Sequence, residues 1–222
     1  MKNFCHQVFV LYKKDLLLEF RELDHLISIV LFGFLLLILF SFALSVEPEL
    51  MRKMAPGLYW LAVLFSSMMT LEHSFQREDG QWDGLLLMGA DTRALYLAKV
   101  FYHFSLVFLL QISLLPLMAG LFDLSLSWSL ARVLLLGNLG IAILGTAYAG
   151  LTASLEGGQV LLPLLLFPML APVVLSAVKV TELTLAADLF GQQVVWLKML
   201  VLFDMVFLLG SLLCADIFFD PT

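Results

Sequence analysis

Lys99, His103 and Asp204 are the residues whose type and setting could do chemistry, because each stands inside an otherwise apolar run. An imidazole at membrane depth can ligate a metal ion or a haem iron; its commoner use is a hydrogen bond to a neighbouring helix or to headgroups. Lys99 precedes His103 by four residues and so shares its helical face, from which a long methylene stem would carry the ammonium to the membrane interface. Asp204 falls within the last apolar run, where an ionisable group is costly and reads as functional by default. A protonated Asp204 bonded to an adjacent helix is the equally open alternative. A membrane enzyme would need Asp204, His103 and Glu156 in one cavity, and they have no familiar catalytic spacing. Glu72 and His73, at the edge of a polar segment, read as solvated. No residue is assigned to catalysis and none to a metal.

Motifs that would supply an engine are missing. The chain has no Gly-Lys dipeptide, hence no phosphate-cradling P-loop, and HExxH, CxxCH and GxSxG do not occur. Cys5 and Cys214 make neither a disulfide framework nor a metal site, and a formal net charge of −6 argues against nucleic acid as a partner. Of 222 residues, 62% are hydrophobic, whereas a soluble domain is roughly 45–50% apolar. Mean hydropathy is +1.01. Apolar runs long enough to cross about 30 Å of hydrocarbon must be helices or barrel strands, since unmet backbone groups are prohibitive in lipid. Barrel strands would alternate, and these runs do not. The expected fold is an all-α polytopic membrane protein, a single transmembrane domain over residues 1–222.

Six spans are expected, near 26–46, 56–71, 94–122, 130–155, 160–178 and 196–219. An interfacial (elbow) helix over 4–24 precedes them: Phe9, Tyr12, Leu16, Phe20 and Leu23 recur at helical spacing. Lys13, Lys14, Asp15, Glu19, Arg21 and Glu22 fill the remainder, as in a helix lying against lipid phosphates. The stretch has no compact apolar region with a cleavage site, so the first span is expected to stay as an uncleaved anchor. Glu47-Pro48-Glu49 ends that span, and a loop through Arg52 and Lys53 leads to Pro56-Gly57 and the second. Pro163, Pro168 and Pro172 predict a kinked or broken fifth span, followed by a second interfacial helix from Val180 to Phe190. Tyr59, Trp60 and Trp128 fit an outer aromatic belt. Gly137, Gly140, Gly145, Ala149 and Gly150 permit close helix packing, within a subunit or across a dimer.

Residues 72–93 form the longest polar interruption. Asp79-Gly80 makes a turn, Asp83 adds charge, and Trp82, Leu85, Leu86, Leu87 and Met88 offer a greasy face that suits a socket on another protein. A chain without its own ATPase needs such a lever to feel nucleotide-driven closure elsewhere, so the segment reads as a cytoplasmic coupling helix docking on a motor. Six spans place both termini on the same side as this loop, and the distribution of Lys and Arg favours the cytoplasm.

The stretches Glu47-Pro48-Glu49-Leu50, Ala55-Pro56-Gly57 with Trp60, Ser66-Ser67 and Leu71-Glu72 resemble the permease subunit of the cytochrome c maturation transporter, the haem exporter protein B family. The likeness continues through Phe75, Asp79-Gly80, Leu85 to Met88 and Leu97-Ala98-Lys99-Val100 with His103. It returns in Leu134 to Gly137, Gly145, Leu151-Thr152, Gly157-Gly158 and Pro168. Trp82, Asp83 and Gly89 depart from the family pattern. The resemblance implies an ABC-2-type permease in the bacterial inner membrane, both termini cytoplasmic, six spans forming half of a homodimer. It implies a cytosolic ABC ATPase that binds the ATP, a haem-handling membrane subunit, a small single-span subunit and a periplasmic haem chaperone. Haem is then handled by the complex, with no cofactor held by this chain, and related permeases move a lipid, polysaccharide or drug instead.

Overall fold

The computed structural model describes residues 2–21, 23–43, 48–77, 91–122, 128–153, 158–186 and 191–218. The described residues fold as helices: α1 (Lys2–Glu19), α2 (Leu23–Ala43), α3 (Pro48–Arg77), α4 (Thr92–Phe122), α5 (Trp128–Ala153), α6 (Gly158–Leu185), α7 (Gln192–Leu213) and the short α8 (Ala215–Phe218). Six of them, α2 to α7, are long and apolar enough to cross a membrane. Segments 44–47, 78–90, 123–127, 154–157 and 187–190, and the end from 219, lie outside the described residues.

Several boundaries differ from the sequence expectation. The stretch expected as a loop around Arg52 and Lys53 is helical from Pro48 onward, with Pro56 inside α3. Proline suits the first turn of a helix, where its missing N–H would be unmatched anyway. At the other end α3 continues through Glu72 to Arg77, so the polar interruption begins later than residue 72. In α6 the three prolines interrupt nothing, and the expected interfacial helix at Val180 is instead its continuation to Leu185. In lipid a broken helix has no water to satisfy the groups it releases, so tolerating missing donors is cheaper than stopping.

The fifth helix is the centre of the bundle and packs against α3, α4, α6, α7 and α8. Its residues Gly140 to Ala147 are all buried, as expected of a helix apolar on every side. Glycines make this closeness possible. A Cβ built at Gly137 would sit 2.3 Å from Trp60 Cη2, and one at Gly145 would sit 2.6 Å from Leu71 Cδ1. The two obstacles differ in stiffness: an enclosed indole cannot yield, whereas a leucine tip can rotate. Gly137→Ala is therefore expected to destabilise the protein by about 1–3 kcal/mol and Gly145→Ala by less, measured as loss of helical signal on thermal or detergent denaturation.

Tyr59 and Trp60, expected in the outer belt, are fully buried. Burial of both rings is possible because each polar tip finds a partner. Trp60 Nε1 donates to Thr181 Oγ1 at 2.9 Å and Tyr59 OH donates to the Gln111 carbonyl at 3.2 Å. Trp128 alone of the three is exposed, at 92%. Further bonds tie α4 to α5: Tyr96 OH to the Ile143 carbonyl, and Asn138 Nδ2 to the Phe104 carbonyl. Such bonds join helices where apolar burial alone gives no preference over lipid.

Candidate functional site

Buried Asp15, Glu19, Ser74 and Lys99 gather where α1, the end of α3 and the start of α4 meet. Asp91 begins the arrangement as the cap of α4: its Oδ1 accepts from the Arg93 N–H at 2.9 Å, filling one of the orphan donors of a helix start. Asp91 N–H reaches Gln7 Oε1 on α1 at 3.5 Å, and Thr92 Oγ1 donates to Asp216 Oδ1 on α8 at 2.6 Å. Both terminal helices therefore lie at the same end of the bundle as the start of α4, which the 78–90 segment enters.

About two and three turns further along α4 sit Lys99 and Tyr102. Lys99 does not snorkel. It is 1% exposed, with Nζ 3.1 Å from Asp15 Oδ2 on α1 and 3.3 Å from Ser74 Oγ on α3. The rings of Tyr102 and Phe75 lie 5.3 and 5.8 Å from the same ammonium, within the range in which an aromatic face attracts a cation. The ammonium stays inside because three helices supply its ligands there. Lys14 Nζ approaches the other carboxylate oxygen of Asp15 at 3.0 Å.

A second cluster adjoins it. Tyr102 OH donates to Glu19 Oε2 at 2.6 Å, Glu19 Oε1 is bonded to His25 Nδ1 at 2.8 Å, and the His25 ring stacks on His73 with centroids 3.6 Å apart. Asp15 and Glu19 had been expected on the polar side of an interfacial helix. They are instead its most buried residues, while Phe9, Phe20 and Leu23 of the expected apolar stripe are exposed. Helix α1 docks on α4, and two acids at i and i+4 share the face that meets it. Its N-terminal half borders an apolar groove of about 530 Å³ lined by Phe4, Val8, Phe101 and Phe104 among others. Polar links near its C-terminal end thus do much of the holding. His73, expected as solvated, is half-buried.

His103 is enclosed on the same helix and shares a 2.8 Å hydrogen bond between Nδ1 and Thr146 Oγ1 of α5. Phe75 and Tyr102 pack around its ring. Asp204 lies elsewhere, on α7 with 3% exposure. Its Oδ1 would be 2.6 Å from a Cβ at Gly140, beside Val173. Neither carboxylate oxygen has a hydrogen-bond partner among the described residues. The positions His103 and Asp204 meet on α5, Thr146 and Gly140, are about 9 Å apart along the axis. Glu156 lies outside the described residues, so the three are not seen as one cavity. Also outside are Asp79, Gly80, Trp82, Asp83, Leu85, Leu86, Leu87 and Met88.

Sequence reasoning singled out Lys99, as a lysine reaching for the interface, but did not single out Asp15, Glu19, Ser74 and Tyr102, the polar surroundings that hold it inside. The two acids recur at one helical turn, a signal that was available. That a lysine and a tyrosine of α4 would face them was not.

Known proteins resemble this chain over most of its length. Residues 6–215 match the family described as CcmB protein. Heme exporter protein B of Haemophilus influenzae is 33% identical over 174 residues, covering 77% of this chain and 79% of that protein. The protein of the same name from Pseudomonas aeruginosa is 31% identical over 196 residues, covering 86% and 87%. That of Escherichia coli K12 is 32% identical over 171 residues, covering 75% and 78%. With a family match running from within α1, through the six long helices, to the first residue of α8, the chain belongs to the CcmB protein family.

Proposed function

We propose that this chain is the membrane-embedded permease subunit of a haem-exporting ABC transporter, working in cytochrome c maturation. ATP is bound and hydrolysed by a separate cytosolic subunit, which grips the segment Asp79 to Met88. Closure of that motor pulls on α3 and α4 together. The observation that carries this reading is the buried Lys99–Asp15–Ser74 group, which ties both of those helices to α1 (3.1 and 3.3 Å). A load applied between α3 and α4 is then felt by the bundle rather than absorbed at the base. Relatives named heme exporter protein B supply the cargo class. The complex includes a haem-handling membrane subunit, a small single-span subunit and a periplasmic haem chaperone, whose haem-loaded release is the step linked to ATP. Two copies of the chain complete the permease in the inner membrane, with both termini cytoplasmic.

The test is a gentle detergent pull-down from native membranes with identification of partners and a haem absorption spectrum. An ATPase recovered without haem-handling partners would move the assignment to a permease for lipid, polysaccharide or drug. Leu85→Asp or Leu86→Asp is expected to abolish recovery of the ATPase while the variant still inserts, because a carboxylate cannot enter an apolar socket without a partner. ATPase recovery at wild-type yield would refute docking at this segment.

Asp204 is the intramembrane residue proposed to serve the working cycle. A buried polar group without partners is a net cost to the fold, so Asp204→Ala is expected to leave thermal stability unchanged or raised. Loss of cytochrome c assembly in that stable variant would assign the carboxylate to function. Normal assembly would leave it a packing residue against Gly140. His103, bonded to Thr146, is expected to hold α4 on α5 rather than to bind cargo.

A further inference from the structure

Glu19, His25 and His73 come from the end of α1, the start of α2 and the last turns of α3, yet one ligating atom from each lies within 4.8 Å of the others. Two imidazoles and one carboxylate form a ligand set suited to a borderline divalent cation such as Zn²⁺, with the fourth position left to water. The carboxylate is completely buried. Tyr102 OH holds Glu19 Oε2 at 2.6 Å, leaving Oε1 turned toward the histidines. This is the part an outer hydrogen bond plays in orienting a metal-binding carboxylate.

We propose that Glu19, His25 and His73 bind one divalent transition-metal ion and thereby clamp α1, α2 and α3 together at the base of the bundle. The rings stack with centroids 3.6 Å apart and planes 22° from parallel. Imidazole lone pairs lie in the ring plane, so binding turns one ring out of the stack. Both rings are half-buried, but His25 Nδ1 is already on Glu19 Oε1 at 2.8 Å, so His73 is the ring that turns. No porphyrin fits between rings this close, so the ligand is the bare cation rather than haem. The clamp takes hold of α3 four residues before its end at Arg77.

The full chain, purified in detergent through a tag without histidine and stripped with chelator, is titrated with Co²⁺ and followed by its visible d–d absorption. The expected result is an intense four- or five-coordinate band saturating at one equivalent per chain and displaced by Zn²⁺. His25→Ala and His73→Ala should each abolish it, Tyr102→Phe should weaken binding about 10–100-fold, and His6→Ala should change nothing. Circular dichroism confirms that each variant is folded. X-ray absorption on the Zn²⁺-loaded wild-type chain needs no variant and should show imidazole nitrogen and oxygen at about 2.0–2.2 Å. A spectrum of hexaaqua Co²⁺ alone, a band that survives both histidine variants, or sulfur in the metal's shell from Cys5 or Cys214 would overturn the proposal.

Discussion

Lys99→Met is expected to cost about 3–5 kcal/mol, the usual penalty for removing one partner of a buried ion pair. The methionine fills much of the space but brings no charge, so Asp15 is left inside the bundle without its buried ammonium, and Lys14 beside it is partly exposed (35%). Ser74 loses the ammonium it accepts from, and the rings of Phe75 and Tyr102 lose the cation they flank. Because the N-terminal half of α1 borders an open apolar groove, the failure should begin as detachment of α1, seen as new protease cleavage near residues 20–21. The double variant Lys99→Met with Asp15→Leu separates charge from shape. Removing both members of a buried pair is often neutral or stabilising, so the second change should restore most of the lost stability. If the double variant is as unstable as the single, the ion pair is not what holds α1.

Trp60→Ala is the second large effect, about 3–5 kcal/mol. The indole is fully enclosed between α3, α5 and α6, pressed against Gly137, edge-on to Tyr59 and bonded to Thr181. Its removal opens a cavity that the stiff helices around it cannot close, and it leaves the Thr181 hydroxyl with its acceptor role unused. Trp128→Ala should fall within about 0.5 kcal/mol in detergent, as for other exposed positions, since that ring is 92% exposed. Comparing the two variants in one denaturation series checks the assignment. Equal losses would mean that Trp60 is not the packing centre of this side of the bundle.

The contrast between these two tryptophans shows where reading a sequence stops. Both stand near the ends of apolar runs, and both satisfy the rule that places aromatic residues at a membrane interface. Only the third dimension distinguishes them, because Trp60 faces a glycine on one helix and a threonine on another, both distant in sequence. Lys99 repeats the lesson. A lysine near the start of a span normally reaches for water, and nothing local reveals that Asp15 waits 84 positions earlier on a helix folded back against it. The metal-ligand set is more remote still: His73 lies 48 positions after His25 and shares no spacing motif with it.

What could be read directly was set by the solvent. Hydrocarbon leaves a backbone no partner but itself, so the long apolar runs had to be helices and their number had to be six, whatever packed against them. The same physics makes apolar runs uninformative about which face meets protein and which meets lipid, as both environments accept leucine equally. Polar side chains settle that question, since each must find a partner wherever the fold turns it inward. Their partners come from other helices, and for that reason the Lys99 and Glu19 clusters belong to the tertiary structure alone.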